Sequence, residues 1–336
     1  METAYTAARE RAAWLDRSAA RGRIVVSGGD RRSYLHGLLT NDIAALVPGS
    51  GCYALYLTPQ GRMVADLWIY EIGDVVLVAV HGDVKDAVLA RFDQFIFSED
   101  VQLGDVTSTF TEIAVVGPRA ADHLARLLPA ASADALRALP EHGNLRAAFG
   151  DAAAIVTRIT DVGEPGFGIY MAADRREALV GALRADQVPE LDADTAETLR
   201  VETGVPLFHR DMDEETIPLE AGIEGRAISF TKGCYVGQEV IIRVLHRGHG
   251  RVARRLVSLA IEGTVVPERS AAIEHGGRPV GEVTSAVFSP RDRAPVALGY
   301  VQRDVAEPDT IVRINSASAG GKGSDAISAR VTHLIS

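Results

Sequence analysis

The sequence predicts an α+β fold: duplicated β-α-β-β-β-α layers followed by a C-terminal all-β barrel domain. Three observations carry this. Two successive blocks run through the same order of strand-like and helix-like segments. Their openings match at an offset of 89, with Val26, Gly28, Leu35, Leu38 and Leu39 answering to Val115, Gly117, Leu124, Leu127 and Leu128. After Gly248 only short strand-like runs remain, broken by Gly, Pro and Asp. A unit of this kind sets its helices on one face of a largely antiparallel sheet.

The elements follow in order. The β-branched run 23–27 is a strand, and 31–46 carries Leu35, Leu38, Leu39, Ile43 and Leu46 at helical spacing. Segments 51–58, 63–70 and 75–80 read as strands; in the middle one Met63, Ala65, Leu67 and Ile69 alternate with Val64, Asp66, Trp68 and Tyr70. Residues 83–97 form a helix with Asp83 as N-cap. The second block repeats the order: strand 113–116, helix 118–128 with Pro118 in its first turn, strands 145–149, 154–159 and 167–171, and helix 175–185. A further helix spans 194–204, opened by a capping box of Asp194 and Glu197 and closed by Gly204. Strands at 256–261, 280–285, 297–300, 311–314 and 329–334 make the barrel, with 316–325 as a hairpin tip. The expected domains are 1–110, 111–247 and 248–336.

Composition bounds the class. The 336 residues are 47% hydrophobic and 24% charged, which excludes a disordered or fibrous chain. A net charge of −10 disfavours general nucleic-acid binding or an anionic membrane surface. Two distant cysteines, Cys52 and Cys234, exclude a disulfide scaffold and suit a reducing cytosol. No segment has the run of about 18 apolar residues that spans a bilayer, and the charged first residues contain no secretory signal. The expectation is a cytoplasmic protein.

The most distinctive segment is Lys232-Gly-Cys-Tyr-Val-Gly-Gln-Glu239, followed by an apolar helical run. Glycines flank Cys234 in a tight loop close to a helix start, where the helix dipole and Lys232 would favour a thiolate. Such a thiolate can be a nucleophile, a redox group or a cluster ligand; the alternative is a buried cysteine in a glycine-rich turn. A single cysteine makes no tetrahedral zinc site, and His246 and His249 do not complete one, so no metal site is expected. Arg243, Arg247, Arg251, Arg254 and Arg255 form one local basic stretch, either a polyanion contact or a solvated turn. Asp66 lies on the second strand of a hairpin, on the face opposite Met63, Ala65 and Leu67. The bare sequence favours a solvent-facing carboxylate, although in a cleft it could accept hydrogen bonds from a heterocycle. P-loop, G-x-S-x-G, H-E-x-x-H and G-x-G-x-x-G patterns are absent.

The octet KGCYVGQE (232–239) resembles the signature of the YgfZ family, folate-binding proteins related to the glycine cleavage T-protein, an aminomethyltransferase. YLHGLLTND (34–42), LTPQGRMVADLWIY (57–70), TDVGEPGFGIY (160–170) and LRVETGVPLFHRDMDEETIPLEAG (199–222) resemble the wider superfamily, so the likeness spans nearly the whole chain. It implies a tetrahydrofolate-binding fold, with Asp66 at the position of the T-protein aspartate that contacts folate and Ala65 in place of the preceding acid. The T-protein segment of the form GYTGEDGFE ends in a glutamate that grips the pterin. Here that position is Gly168, and the first glutamate is kept as Glu164.

The resemblance implies Cys234, Lys232 and Asp66 as the reactive residues. It implies Asp66, Glu164, Tyr235, Gln238, Glu239 and Arg243 as contacts to tetrahydrofolate or a one-carbon derivative. The implied role is assistance in iron–sulfur cluster assembly or repair, with effects on tRNA-modifying enzymes; the alternative is folate-dependent aminomethyl transfer. Expected partners are folate and iron–sulfur client proteins, with a monomeric chain.

Overall fold

A computed structural model of the chain describes residues 3–246, 251–315 and 326–335. Two compact units emerge: Met1–Leu57, Val64–Ala196 and Ala227–Val236 form the first, and Thr58–Met63, Glu197–Arg226 and Gly237–Ser336 the second.

The first unit opens with α1 (Ala4–Glu10) and β1 (Ala13–Asp16). One block then runs β2 (Arg21–Ser27), α2 (Arg31–Leu38), β3 (Gly51–Leu57), β4 (Met63–Glu71), β5 (Val76–His81), α3 (Lys85–Asp93) and β6 (Gln102–Asp105). The next runs β7 (Phe110–Val116), α4 (Ala120–Leu127), α5 (Ala133–Ala138), β8 (Asn144–Phe149), β9 (Ala152–Ile159), β10 (Gly166–Ala172) and α6 (Arg176–Ala185). The two five-stranded sheets have the orders β3-β4-β5-β2-β6 and β8-β9-β10-β7-β1. Matched strand for strand these are the same order, as a duplication requires. The edge strands differ in origin: β1 precedes the first block yet pairs with β7, while β6 follows α3 and pairs with β2.

The matched glycines show why the repeat kept them. Gly28 and Gly117 follow the first strand of each block at φ of +100° and +119°. A Cβ on Gly28 would lie 2.0 Å from the Asp100 carbonyl oxygen, and one on Gly117 2.7 Å from those of Ala8 and Arg11. Only glycine meets both demands. In the second block one core joins sheet and helices, with Ile113, Val115, Leu124, Phe167, Leu179 and Leu183 all but fully buried.

Several boundaries differ from the sequence expectation. Helical spacing reaches Leu46, but α2 ends at Leu38, because Leu39 turns extended and bridges Tyr56 of β3. Thr40 then donates its N–H to Leu55 and its hydroxyl to the Ala227 carbonyl. Asp83 does not cap α3; Val84 occupies that position with no side-chain cap. Pro118 precedes α4, whose N-cap residue is Arg119. The helix α7 (Ala193–Glu202) is capped by Asp192, whose Oδ1 accepts from Thr195 N at 2.7 Å, so Asp194 and Glu197 form no capping box. Glu197 instead holds Arg200 at 2.6 Å. Gly204 ends that helix as expected, at φ +73°.

The second unit continues with α8 (Pro218–Ala221), α9 (Glu224–Ala227, its last residue in the first unit) and α10 (Gln238–His246). The strands β11 (Arg254–Ile261), β12 (Ala272–His275), β13 (Arg278–Ser289), β14 (Ala294–Gln302), β15 (Ile311–Asn315) and β16 (Ala326–Leu334) close into a barrel in the order β11-β14-β13-β12-β15-β16. Alternating residues fill it, Val257, Leu259, Ile273, Ala297, Val301 and Val331 among them. β12 is absent from the sequence reading; Gly276 and Gly277, at φ of +61° and +75°, turn it into β13. The tip at 316–325 lies outside the described residues, as do Arg247, His249 and the side chain of His246.

Candidate functional site

The strand β4 is buried along its whole length, Asp66 included, at 2% exposure. This corrects the expectation of a solvent-facing carboxylate. The face bearing Asp66, Trp68 and Tyr70 looks polar in sequence, yet it meets the other half of the duplication: Tyr70 lies 6.1 Å from Tyr170 of β10. The hydroxyl of Tyr53 (β3) donates to Asp66 Oδ2 at 2.8 Å. Nε2 of His81, at the end of β5, is 3.4 Å from Oδ1, and Oδ1 accepts no hydrogen bond among the described residues. A buried carboxylate with one oxygen unsatisfied is costly and therefore conspicuous. Burial pushes the His81 imidazole down to about 4, against the pull of Asp66, so it is neutral near pH 7.

Aromatic rings fix these groups. Tyr53 packs on Trp68 at 5.4 Å and stacks on His142 at 6.4 Å. Trp68 meets His81 edge-on at 5.7 Å and carries the Arg21 guanidinium 3.5 Å above its ring. From Arg21 a buried ion cluster crosses between the blocks. Asp161 accepts from Arg21 at 2.6 Å and from Arg17 at 2.6 and 3.0 Å, and Arg17 lies 3.2 Å from Glu112. Burial alone would raise the Asp161 carboxyl, but Arg17 and Arg21 hold it well below the usual range.

The other candidate residues fall in separate places. Glu164 is bound by Arg9 of α1, with side-chain exposures of 11% and 20%. Gly168 faces Thr157 in the β9–β10 ladder, and a Cβ there would come 2.8 Å from the Thr157 hydroxyl. A side chain at this position would therefore crowd Thr157. Lys232, Cys234 and Tyr235 belong to the first unit; Gln238, Glu239 and Arg243 open α10 in the second.

Lys232 Nζ donates to the carbonyls of His36, Leu39 and Asn41, the last at 3.1 Å, and lies 5.1 Å from the Tyr235 ring. Burial pushes its ammonium down to about 8, against Asp42 and Cys52. Cys234 is exposed rather than buried in its turn. Cys52 is half-buried near Lys232, and burial pushes its thiol up to about 12. Gln238 is half-buried, while Glu239 is exposed and pairs with Arg243 at 2.6 Å. In the basic stretch Arg254 is held by Glu220 at 2.9 Å, so part of its charge is neutralised locally. The described residues contain no group of three or more metal-ligating side chains. No described helix is long and apolar enough to cross a membrane. A cavity of about 590 Å³ lies in the second unit, lined by Arg62, Glu215, Glu220, Arg254, Glu282 and Tyr300.

Tyr53, His81, Arg21 and Asp161 escaped the sequence reading. The available signal was the alternation of Asp66, Trp68 and Tyr70 on one strand face, which is too aromatic for a face turned to water.

A doubled antiparallel sheet pair, a closed six-stranded barrel and a buried, half-satisfied aspartate define a class of protein. Two family models match in the corresponding order: the GCVT N-terminal domain over residues 1–232 and the glycine cleavage T-protein C-terminal barrel domain over 254–332. The chain belongs to the glycine cleavage T-protein family. It is 31% identical to an aminomethyltransferase of Rubrobacter xylanophilus over 88% of this chain and 78% of that one. It is 29% identical to an aminomethyltransferase of Streptomyces coelicolor over 91% and 82%. The crystal structure of the glycine cleavage system aminomethyltransferase T from Bartonella henselae superposes with a TM-score of 0.86, covering 98% of this chain and 87% of that one at 22% identity. That likeness shows the fold.

Proposed function

We propose that the chain binds tetrahydrofolate and transfers a one-carbon unit in the manner of the aminomethyltransferases it is similar to, with Asp66 as the carboxylate offered to the folate. One observation carries the reading: Asp66 Oδ1 is buried and accepts no hydrogen bond among the described residues, while Oδ2 is fixed by Tyr53. An acceptor held in this way suits the N–H groups of a reduced pterin. Bound tetrahydrofolate supplies the nitrogen that receives the one-carbon unit. The protein's part is to orient Asp66 between Tyr53 and His81 and to keep water from it. Incubation with tetrahydrofolate and an aminomethyl-lipoyl donor tests this. Methylene-tetrahydrofolate is the expected product, and D66N lowers kcat/KM by about 100-fold or more, as for loss of a fixed electrostatic group.

A second reading, YgfZ-type help in iron–sulfur cluster assembly with downstream effects on tRNA modification, is favoured by two specific features. The octet presents an exposed Cys234, and Gly168 lacks the pterin-gripping acid. Under this reading folate binds, no methylene-tetrahydrofolate forms, and Cys234, Lys232 and Tyr235 serve the client-directed step. Cluster-enzyme activity in cells lacking the native gene decides it. Full complementation by C234A removes this reading.

A further inference from the structure

The loop that carries Cys234 is stitched to the end of α2 at successive points. Thr40 Oγ1 donates to the Ala227 carbonyl at 2.7 Å, and Ser229 N donates to the Thr40 carbonyl at 3.1 Å. Lys232 Nζ then donates to the carbonyls of His36, Leu39 and Asn41. Gly233 follows against His36, whose Nε2 lies 3.9 Å from the site of a glycine Cβ. The last carbonyls of a helix have no partner within it and carry the negative end of its dipole. An ammonium has three donors and no acceptor, so three converging carbonyls satisfy it fully.

We propose that Lys232 is a positioning residue: it docks the loop 232–236 onto the C-terminal end of α2 and so fixes where Cys234 is presented. Its charge is engaged by those carbonyls and by the face of Tyr235. The consequence for function rests on the second reading above; the docking itself does not.

Cys52 reports on the docking, because Lys232 and Asp42 are the charged groups that act on its thiol. Burial suppresses that thiol, and the Lys232 charge favours its ionisation. The two roles of Lys232 therefore predict opposite signs. In K232M, loss of docking loosens the loop beside Cys52 and speeds alkylation of that thiol by about ten-fold or more, the effect of losing hydrogen bonds to a charged group. Loss of charge alone, with the loop in place, slows it. Hydrogen exchange of the amides of 229–236 rises in the first case and is unchanged in the second.

K232R keeps the charge but offers a planar fork in place of three converging donors. Docking predicts faster exchange in K232R, whereas a role through charge alone predicts no change. Slower or unchanged Cys52 alkylation in K232M, or unchanged exchange in K232R, overturns the proposal. Should K232M fail to fold, K232R carries the test. Full complementation by C234A would remove the functional consequence while these readouts still stand for the docking.

Discussion

Asp161→Asn removes one charge from the cluster that joins the two blocks of the first unit. Two guanidiniums, Arg17 and Arg21, face two carboxylates, Asp161 and Glu112, and all four side chains are at most 8% exposed. Asparagine keeps the shape and leaves one buried positive charge in excess. Breaking a buried pair in this way costs about 3–5 kcal/mol. For a unit of this size that corresponds to a fall in Tm of about 6–20 °C, at about 2–4 °C per kcal/mol. Urea unfolding at pH 7 measures the loss directly. The pH dependence supplies a second check. Asp161 is held below its ordinary value, so its contribution is complete above pH of about 4 and fades only as pH falls through the depressed folded value. The variant should lack that acid limb. A loss below about 1 kcal/mol, the level of an exposed pair, would refute the assignment of a buried, balanced network.

Two further predictions concern His81 beside Asp66 and Gly168 of β10. His81 is depressed from 6.5 to about 4, so its neutral form contributes stability fully above pH about 6.5, and that contribution is lost as pH falls toward 4; an NMR titration should find the ring still neutral at pH 5.5. Gly168→Glu should destabilise by about 1–3 kcal/mol in urea unfolding, because its Cβ crowds Thr157, and adding Thr157→Ala should recover part of the loss.

Much of the fold was legible because local chemistry and global topology agree in it. The two blocks were visible through Val26, Gly28 and Leu35 and their partners 89 residues on, since the same turn and core positions recur. The barrel showed through its turn residues. What failed was decided by contacts distant in sequence. α2 stops where Leu39 pairs with Tyr56, although the apolar spacing continues. β1 is four residues long and pairs with β7 about a hundred residues later. Asp66 could be singled out, but its burial depends on a second sheet covering a face that alternation alone assigns to solvent. Lys232 stands two residues from Cys234 in sequence; its three acceptors lie on residues 36–41, a relation no local pattern encodes.

The proposed folate anchor is Asp66. Titration of tetrahydrofolate into the protein and into D66N, followed by the fluorescence of Trp68 beside the site, tests it most directly. Saturable binding to the unsubstituted chain is expected, with a dissociation constant about 10–100-fold weaker in D66N, the worth of hydrogen bonds to a charged acceptor. Equal affinity in the two proteins would contradict it.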